Sequence, residues 1–325
     1  MKKVYIAISI FTVFALGAKP DLEPPQAEIT NGLIRARLYL PDVNNGYYRG
    51  SRFDWAGVIP DLKYDGHSYF GQWFDTYAPT IHDCIMGPVE DFSPVGYNEA
   101  KKGETFLKIG IGMVSKPEEQ KYTFANPYPI VNPGIWKVKK KAEQIEFMHE
   151  LNDSQYSYEY RKAVQLIKGK PEMVLSHTLK NTGKRTIETN VYDHNFFVMD
   201  KQTVGRDFVV KLPFHVTGEE RGKSGLGKLE NNQILYTKDL TKTEHLQYLS
   251  LQGYSNSAKD YDIRVENHKT GAAVRITSDQ PFSKLAFWSA YATICPEPYM
   301  TIKVEPGKKI SWKIFYEFYT CEKNN

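Results

Sequence analysis

The stretch Lys180–Met199, KNTGKRTIETNVYDHNFFVM, decides how this chain folds. Asn181-Thr182-Gly183 is a turn signal, and the residues on either side of it have the composition of β-strands. The second strand ends in VYDHNFF, where His194 is surrounded by aromatic residues. The stretch therefore predicts an antiparallel hairpin that carries one histidine at its far end.

A second stretch, Leu285–Phe318, contains the strand-like run LAFWSAYA, then ICPEPY, then a closing strand pair turned at Pro306-Gly307. Glu297 stands between two prolines just after the first run. A histidine and a carboxylate on neighbouring strands can supply the general acid and the general base that proton transfer to and from a sugar ring requires. We therefore predict that His194 and Glu297 form a catalytic pair.

Short strand-like runs recur along the whole chain, and several alternate apolar and polar residues as half-buried antiparallel strands do. Polar turn signals such as Asn31-Gly32, Asp65-Gly66 and Thr270-Gly271 separate them. We find neither a long amphipathic helix nor a blade-length repeat. The pattern predicts an all-β protein built as a large antiparallel sandwich, with residues 19–325 as one domain.

The first eighteen residues, MKKVYIAISIFTVFALGA, have the pattern of a secretory signal peptide. Lys2 and Lys3 precede an apolar run from Val4 to Leu16, which is too short for a comfortable membrane span. Small residues follow, as a cleavage site requires. We predict a periplasmic or secreted protein with no membrane contact after cleavage, and the alternative is an uncleaved N-terminal anchor.

The charge and cysteine content exclude several classes of protein. The net charge is only +4, with 42 basic and 38 acidic residues, and the lysines are scattered, so a nucleic-acid partner is not expected. The three cysteines allow at most one disulfide, and the sequence does not choose the pair. Neither CxxC nor HExxH occurs, so we predict no metal site, and the alternative is a zinc site formed by His82, Asp83 and a distant histidine.

These motifs resemble the galactose mutarotase-like family, which comprises the aldose 1-epimerases and their relatives. In that family a strand–NTG–strand unit delivers a histidine followed by aromatics, and a late glutamate precedes a closing hairpin. The matching positions here are Asn181, Thr182, Gly183, His194, Phe196, Phe197, Cys295, Glu297, Pro298, Pro306 and Gly307. The resemblance covers residues 28–320 and implies a supersandwich fold, a carbohydrate ligand and anomer interconversion without a cofactor. Glu297 would be the base and His194 the acid.

Two weaker matches add candidate sugar-binding residues. Arg52 in GSRFDW and His82 in TIHD stand where the family places an arginine and a second histidine that hold sugar hydroxyls or a sugar carboxylate. Asp193 is a third candidate substrate-binding residue, and either Asp193 or Glu297 itself would stabilise the charged form of His194. The usual HGF(A/V)R run is replaced by HDCIMGPVEDF, which lacks the arginine of relatives that act on sugar phosphates. This departure argues against a phosphorylated substrate.

Two other functions fit the same scaffold. A non-catalytic carbohydrate-binding module would use the aromatic segment Tyr69–Tyr77 as its platform. A polysaccharide lyase or glycosidase would use Arg49 or Arg52 to neutralise a uronate and a tyrosine such as Tyr192 as base, although lyases of this type usually carry an added helical domain. Three tryptophans, Trp55, Trp73 and Trp288, are predicted to be core residues.

Overall fold

A computed structural model describes residues 23–324, so the predicted signal peptide lies outside the described residues. This range forms two short 3₁₀ helices, Arg221–Lys223 and Ala258–Asp260, and the following strands: β1 (Gln26–Thr30), β2 (Ile34–Tyr39), β3 (Val58–Tyr64), β4 (His67–Ser68), β5 (Gly87–Phe92), β6 (Thr105–Lys108), β7 (Gly112–Ser115), β8 (Ile130–Asn132), β9 (Ile135–Lys140), β10 (Gln144–Leu151), β11 (Tyr158–Leu166), β12 (Glu172–Asn181), β13 (Ile187–Phe196), β14 (Phe208–Lys211), β15 (Gly227–Glu230), β16 (Gln233–Tyr236), β17 (His245–Leu251), β18 (Asp262–Asn267), β19 (Ala272–Ser278), β20 (Lys284–Ala290), β21 (Thr293–Val304) and β22 (Lys309–Thr320). No helix in this range is long and apolar enough to cross a membrane.

Two large antiparallel sheets dominate the fold. One has ten strands in the order β15-β16-β14-β18-β19-β22-β12-β11-β10-β9, and the other has five in the order β17-β20-β21-β13-β5. Smaller sheets of four and three strands, β1-β2-β3-β4 and β6-β7-β8, complete the structure. The prediction of an all-β protein with large antiparallel sheets is confirmed.

The two large sheets pack face to face through residues that alternate along each strand. On β10 every second side chain is buried, including Ile145 and Phe147, while the intervening residues are half-buried. The main core cluster extends from Ile29 on β1 to Phe318 on β22. Apolar burial of this kind contributes roughly 25 cal/mol per Å² of surface removed from water.

The NTG turn joins two sheets, because β12 belongs to the ten-stranded sheet and β13 to the five-stranded one. The Asn181 side chain receives a hydrogen bond from the Gly183 amide (2.9 Å) and donates one to the Val304 carbonyl (2.8 Å). The turn is therefore anchored to the end of β21. The predicted hairpin is instead a crossing between the two layers of the sandwich.

Strand β21 runs through both prolines, whereas the sequence places Glu297 after a strand. Proline has no N–H to donate, so it is tolerated where a ladder is interrupted. The ladder between β13 and β21 includes Tyr192 with Tyr299 and resumes only at the bridge between Phe197 and Ile294. Pro296 and Pro298 lie within this interruption, at the positions that carry His194 and Glu297.

A layer of buried charge lies between the two large sheets. The carboxylate of Glu90 on β5 contacts both the Lys162 ammonium on β11 and the His177 ring on β12, the latter at 2.7 Å. The Tyr160 hydroxyl donates to the Asp54 carboxylate at 3.0 Å.

All three cysteine thiols of the described chain are free.

Candidate active site

The candidate site is built around a direct contact between the two residues predicted to be catalytic. Tyr192 pairs with Tyr299 and Phe197 with Ile294, so the same register sets His194 directly opposite Glu297. His194 Nε2 lies 3.4 Å from Glu297 Oε1, and the two side chains are only 5% and 9% exposed.

Strand alternation decides which neighbours share the face of His194. Successive side chains on a strand point to opposite faces, so Tyr192 and Phe196 accompany His194 into a cavity, while Asp193 points into the interior between the sheets. The Tyr316 hydroxyl donates to the Asp193 carboxylate there. The expectation that Asp193 supports His194 from within the site is wrong, since adjacent strand residues cannot face the same way.

The cavity has a volume of about 500 Å³ and lies on the outer face of the five-stranded sheet. Its walls are aromatic, formed by Trp73, Tyr122, Phe124, Phe196, Trp288 and Tyr299. Trp73 and Trp288 were expected in the core and instead line the cavity, whereas Trp55 is buried as expected. Larger hollows of about 710 and 790 Å³ exist elsewhere, but charged groups that line them, such as Glu188 and Arg35, are more than half exposed.

The His194 ring is held by aromatic stacking. It lies parallel to Phe196 at 3.8 Å between ring centroids, and Phe196 in turn stacks on Trp73 at 5.1 Å. Trp288 meets His194 edge-on at 5.9 Å. With Nε2 on Glu297 and no protein partner for Nδ1, this stacking is the main constraint on the orientation of the imidazole.

Arg52 lines the cavity but its guanidinium is already occupied. Nε lies 3.2 Å from Asp91, Nη1 contacts Asp83, and Nη2 donates to the Tyr192 hydroxyl at 2.9 Å. Its side chain is 7% exposed and lies over the ring of Phe124 at 4.0 Å. Arg52 is therefore placed as a fixed positive charge rather than as a free donor for a ligand.

His82 does not line the cavity. Its Nε2 lies 3.1 Å from Asp83 Oδ2, and its side chain is about one third exposed. Asp83 itself reaches the cavity, because it bridges His82 on the outside and Arg52 on the inside. His82 is thus connected to the site through Asp83, one residue further from the ligand space than the sequence predicts.

Burial sets the protonation of the central pair. It raises the pKa of Glu297 to about 7, although the positive charges of Arg52 and Lys284 oppose this shift. Burial and then the charge of Arg52 lower the pKa of His194 well below its usual value. Below about pH 7 the pair therefore holds one proton, which rests on Glu297, while His194 is neutral. The sequence expectation of a charged His194 is corrected, because too little water reaches the imidazole to stabilise its cation.

Sequence reasoning missed the residues that extend the site across the sheet. The register places Asp91, Tyr192, Tyr299 and Lys284 side by side on four successive strands, β5, β13, β21 and β20. All four line the cavity. Nothing in the sequence shows this row, because it joins positions up to about two hundred residues apart.

One group of side chains in the described chain has the spacing of metal ligands. The ligand atoms of Glu266, His268 and Cys321 lie within 4.8 Å of one another. None of these residues lines the cavity, and Glu266 already pairs with Lys211 at 2.7 Å. The group is therefore separate from the candidate active site.

This chain is similar to known proteins in its structure but not detectably in its sequence. Neither a protein-family model nor a curated protein matches the sequence. A galactose mutarotase-like protein from Clostridium acetobutylicum superposes with a TM-score of 0.57 and 13% identity, covering 91% of this chain and 95% of the other. The chain has the galactose mutarotase-like fold. This confirms the resemblance predicted from the motifs around His194 and Glu297.

Two further structures share the mutarotase-like fold over their whole length. A galactose mutarotase related enzyme from Lactobacillus acidophilus is 15% identical with a TM-score of 0.55, covering 92% of this chain and 100% of the other. An aldose epimerase homologue from C. elegans is 13% identical with a TM-score of 0.54, covering 91% and 98%. At such identities the likeness concerns the fold, and function must be argued from the site.

Proposed function

We propose that the protein is an aldose 1-epimerase-like enzyme that interconverts the anomers of a sugar by proton transfer through His194 and Glu297. The observation that carries this proposal is the 3.4 Å contact between these two buried side chains at an aromatic cavity. A site of about 500 Å³ has room for a sugar ring, and aromatic walls suit the apolar faces of sugars.

Anomer interconversion needs two proton transfers that leave the proton content of the enzyme unchanged. Opening the hemiacetal removes the proton of the anomeric hydroxyl and delivers a proton to the ring oxygen. After rotation about C1–C2, the ring closes on the other face of the aldehyde and both transfers are reversed. A pair that holds one proton can do both, and each transfer contributes typically 10²–10⁴-fold.

The predicted roles of the two residues are compatible with a pair that holds one proton, provided that one further proton transfer takes place. Glu297 as base and His194 as acid require the resting proton of Glu297 to reach His194 as the sugar binds. The 3.4 Å contact provides the route. The two placements of the proton differ only in its position, so activity depends on the number of protons that the pair holds.

The alternatives have less support from the geometry. A pure binding module gives no reason for an acid–base pair to be buried together beside the ligand space. In a lyase, Tyr192 would have to act as base, but its hydroxyl donates to Asp91 and receives a bond from Arg52. Burial also raises its pKa well above the usual value, which makes it a poor base at neutral pH.

The decisive experiment follows the equilibration of freshly dissolved α-anomers by polarimetry or by NMR of the anomeric protons. Glucose, galactose and a uronic acid would be compared with and without the protein. Acceleration beyond the spontaneous rate is expected for at least one sugar. If no sugar equilibrates faster, anomer interconversion is excluded and carbohydrate binding without catalysis becomes the better hypothesis.

The pH dependence of kcat/KM should show the pH at which the pair of His194 and Glu297 loses its proton. Below about pH 7 the pair holds one proton, and as the pH rises through the pKa of Glu297 it holds none, so activity should fall above about pH 7. Activity measured from pH 5 to 9 in buffers of constant ionic strength tests this. A rise in activity through pH 7 would show instead that the active form has an ionised Glu297 and a neutral His194.

Export from the cytoplasm is a separate part of the proposal and rests on residues 1–18 alone. We propose that the mature protein meets its sugar in the periplasm or outside the cell. Fractionation of cells that express the full chain, with mass determination of its N-terminus, would detect cleavage of the signal.

A further inference from the structure

One wall of the cavity carries a lysine, Lys284. Lys284 on β20 pairs in the sheet with Tyr299 on β21, and its ammonium group lies over the Tyr299 ring at 4.5 Å from the centroid. This contact directs the side chain along the cavity wall, which both residues line. In the described part of the chain no carboxylate pairs with this ammonium. The Lys284 side chain is half-buried.

The other charges of the cavity are balanced among themselves. Arg52 is shared between Asp83 and Asp91, and Asp91 also receives the ammonium of Lys108 at 2.8 Å. At the mouth, Arg221 donates to the Gln247 side chain at 3.0 Å and has no acidic partner among the described residues. Lys284 and Arg221 therefore leave the ligand space with surplus positive charge.

The position of Lys284 relative to the acid–base pair fits a single sugar unit. Glu297 is two residues before Tyr299 on the same face of β21, which makes Lys284 and Glu297 diagonal neighbours across the two strands. Such neighbours lie roughly 7–8 Å apart at the backbone. A sugar whose anomeric centre contacts Glu297 can thus present a charged substituent to Lys284 without a second ring.

We propose that the ligand of this cavity is an anionic sugar whose negative group binds Lys284. This inference rests on the proposed function for the location of the anomeric centre and extends it to the class of substrate. The shared chemistry is an oxyanion carried by the sugar, in the form of a carboxylate or a sulfate. An ammonium group over an aromatic ring recognises such a group as a point charge with three donors.

Equilibrium binding tests this proposal independently of turnover. Isothermal titration would compare matched sugars, namely galactose with galacturonate and galactose 6-sulfate, and the corresponding series for glucose. At low ionic strength at least one charged sugar is expected to bind about 10- to 100-fold more tightly than its neutral counterpart, as for other hydrogen bonds to charged groups. The preference should shrink as salt is added.

Variants at Lys284 connect the preference to this residue. Lys284→Met should weaken binding of the charged sugar about 10- to 100-fold more than binding of its neutral counterpart, so that the preference is lost, while Lys284→Arg should retain the preference. Lys303→Met, which removes a lysine of β21 that is 60% exposed, is the matched control. Equal binding of charged and neutral sugars, no binding of any sugar, or a preference that survives Lys284→Met would each overturn the proposal. Failure to accelerate anomer exchange would overturn only the proposed function, since it leaves the binding comparison intact.

Discussion

Replacing either member of the buried pair should abolish most anomer exchange. We expect His194→Gln or Glu297→Gln to lower kcat by about 10²–10⁴-fold, because each removes one of the two proton transfers. The double variant should lose little more than either single variant, since the two residues act on one proton as a unit. Polarimetry on the sugar that wild type accelerates gives the measurement, after correction for spontaneous exchange.

Matched controls separate loss of chemistry from loss of structure. His215→Ala and Glu305→Gln change the same residue types at exposed positions outside the cavity, and both should keep the wild-type rate. Glutamine preserves the volume of Glu297 and most of that of His194, so thermal unfolding of the active-site variants should stay close to wild type. A variant of the pair that keeps most of the wild-type rate would contradict the assignment.

The largest effect on stability is expected at the buried lysine between the sheets. Lys162 carries no exposed surface, donates to the Ala56 carbonyl at 3.0 Å and contacts the equally buried Glu90. With Lys162 and His177 beside it, the pKa of Glu90 falls to about 2 despite its burial, so Glu90 is ionised. Lys162→Met should lower the free energy of unfolding by about 3–5 kcal/mol, because it leaves that carboxylate with one partner instead of two.

Urea unfolding of Lys162→Met beside Lys102→Met tests this expectation. Lys102 also pairs with a glutamate, Glu118, but both side chains are about 60% exposed, so its loss should change the stability by at most about 1 kcal/mol. Similar losses in the two variants would show that the buried charge layer is not what holds the two large sheets together. Anomer exchange by folded Lys162→Met should persist, since Lys162 does not line the cavity.

The sequence determines the class of the fold because strand periodicity and turn chemistry are local properties. Alternation along stretches such as Tyr156–Leu166 and the signals at Asn31-Gly32 and Thr270-Gly271 are sufficient to predict an antiparallel sandwich. The same alternation along a strand also places Asp193 and His194 on opposite faces of the sheet. It follows from strand period alone, without knowledge of any other strand.

The sequence also selects His194 and Glu297 as candidates, but only the tertiary structure sets them 3.4 Å apart. Their meeting depends on the register between β13 and β21, which are joined through almost a hundred residues and whose ladder is interrupted at the two prolines of β21. Register is set by packing over the whole sheet, so no local pattern encodes it.

The protonation of the pair and the charge of the cavity are likewise decided in three dimensions. Burial raises the pKa of Glu297 and lowers that of His194, and burial is a property of the assembled sandwich. Arg52, which the sequence offers as a ligand for sugar, is neutralised by Asp83 and Asp91, while the ammonium of Lys284 has no acidic partner among the described residues. The sequence specifies which residues are charged, but which of them form ion pairs depends on which strands become neighbours.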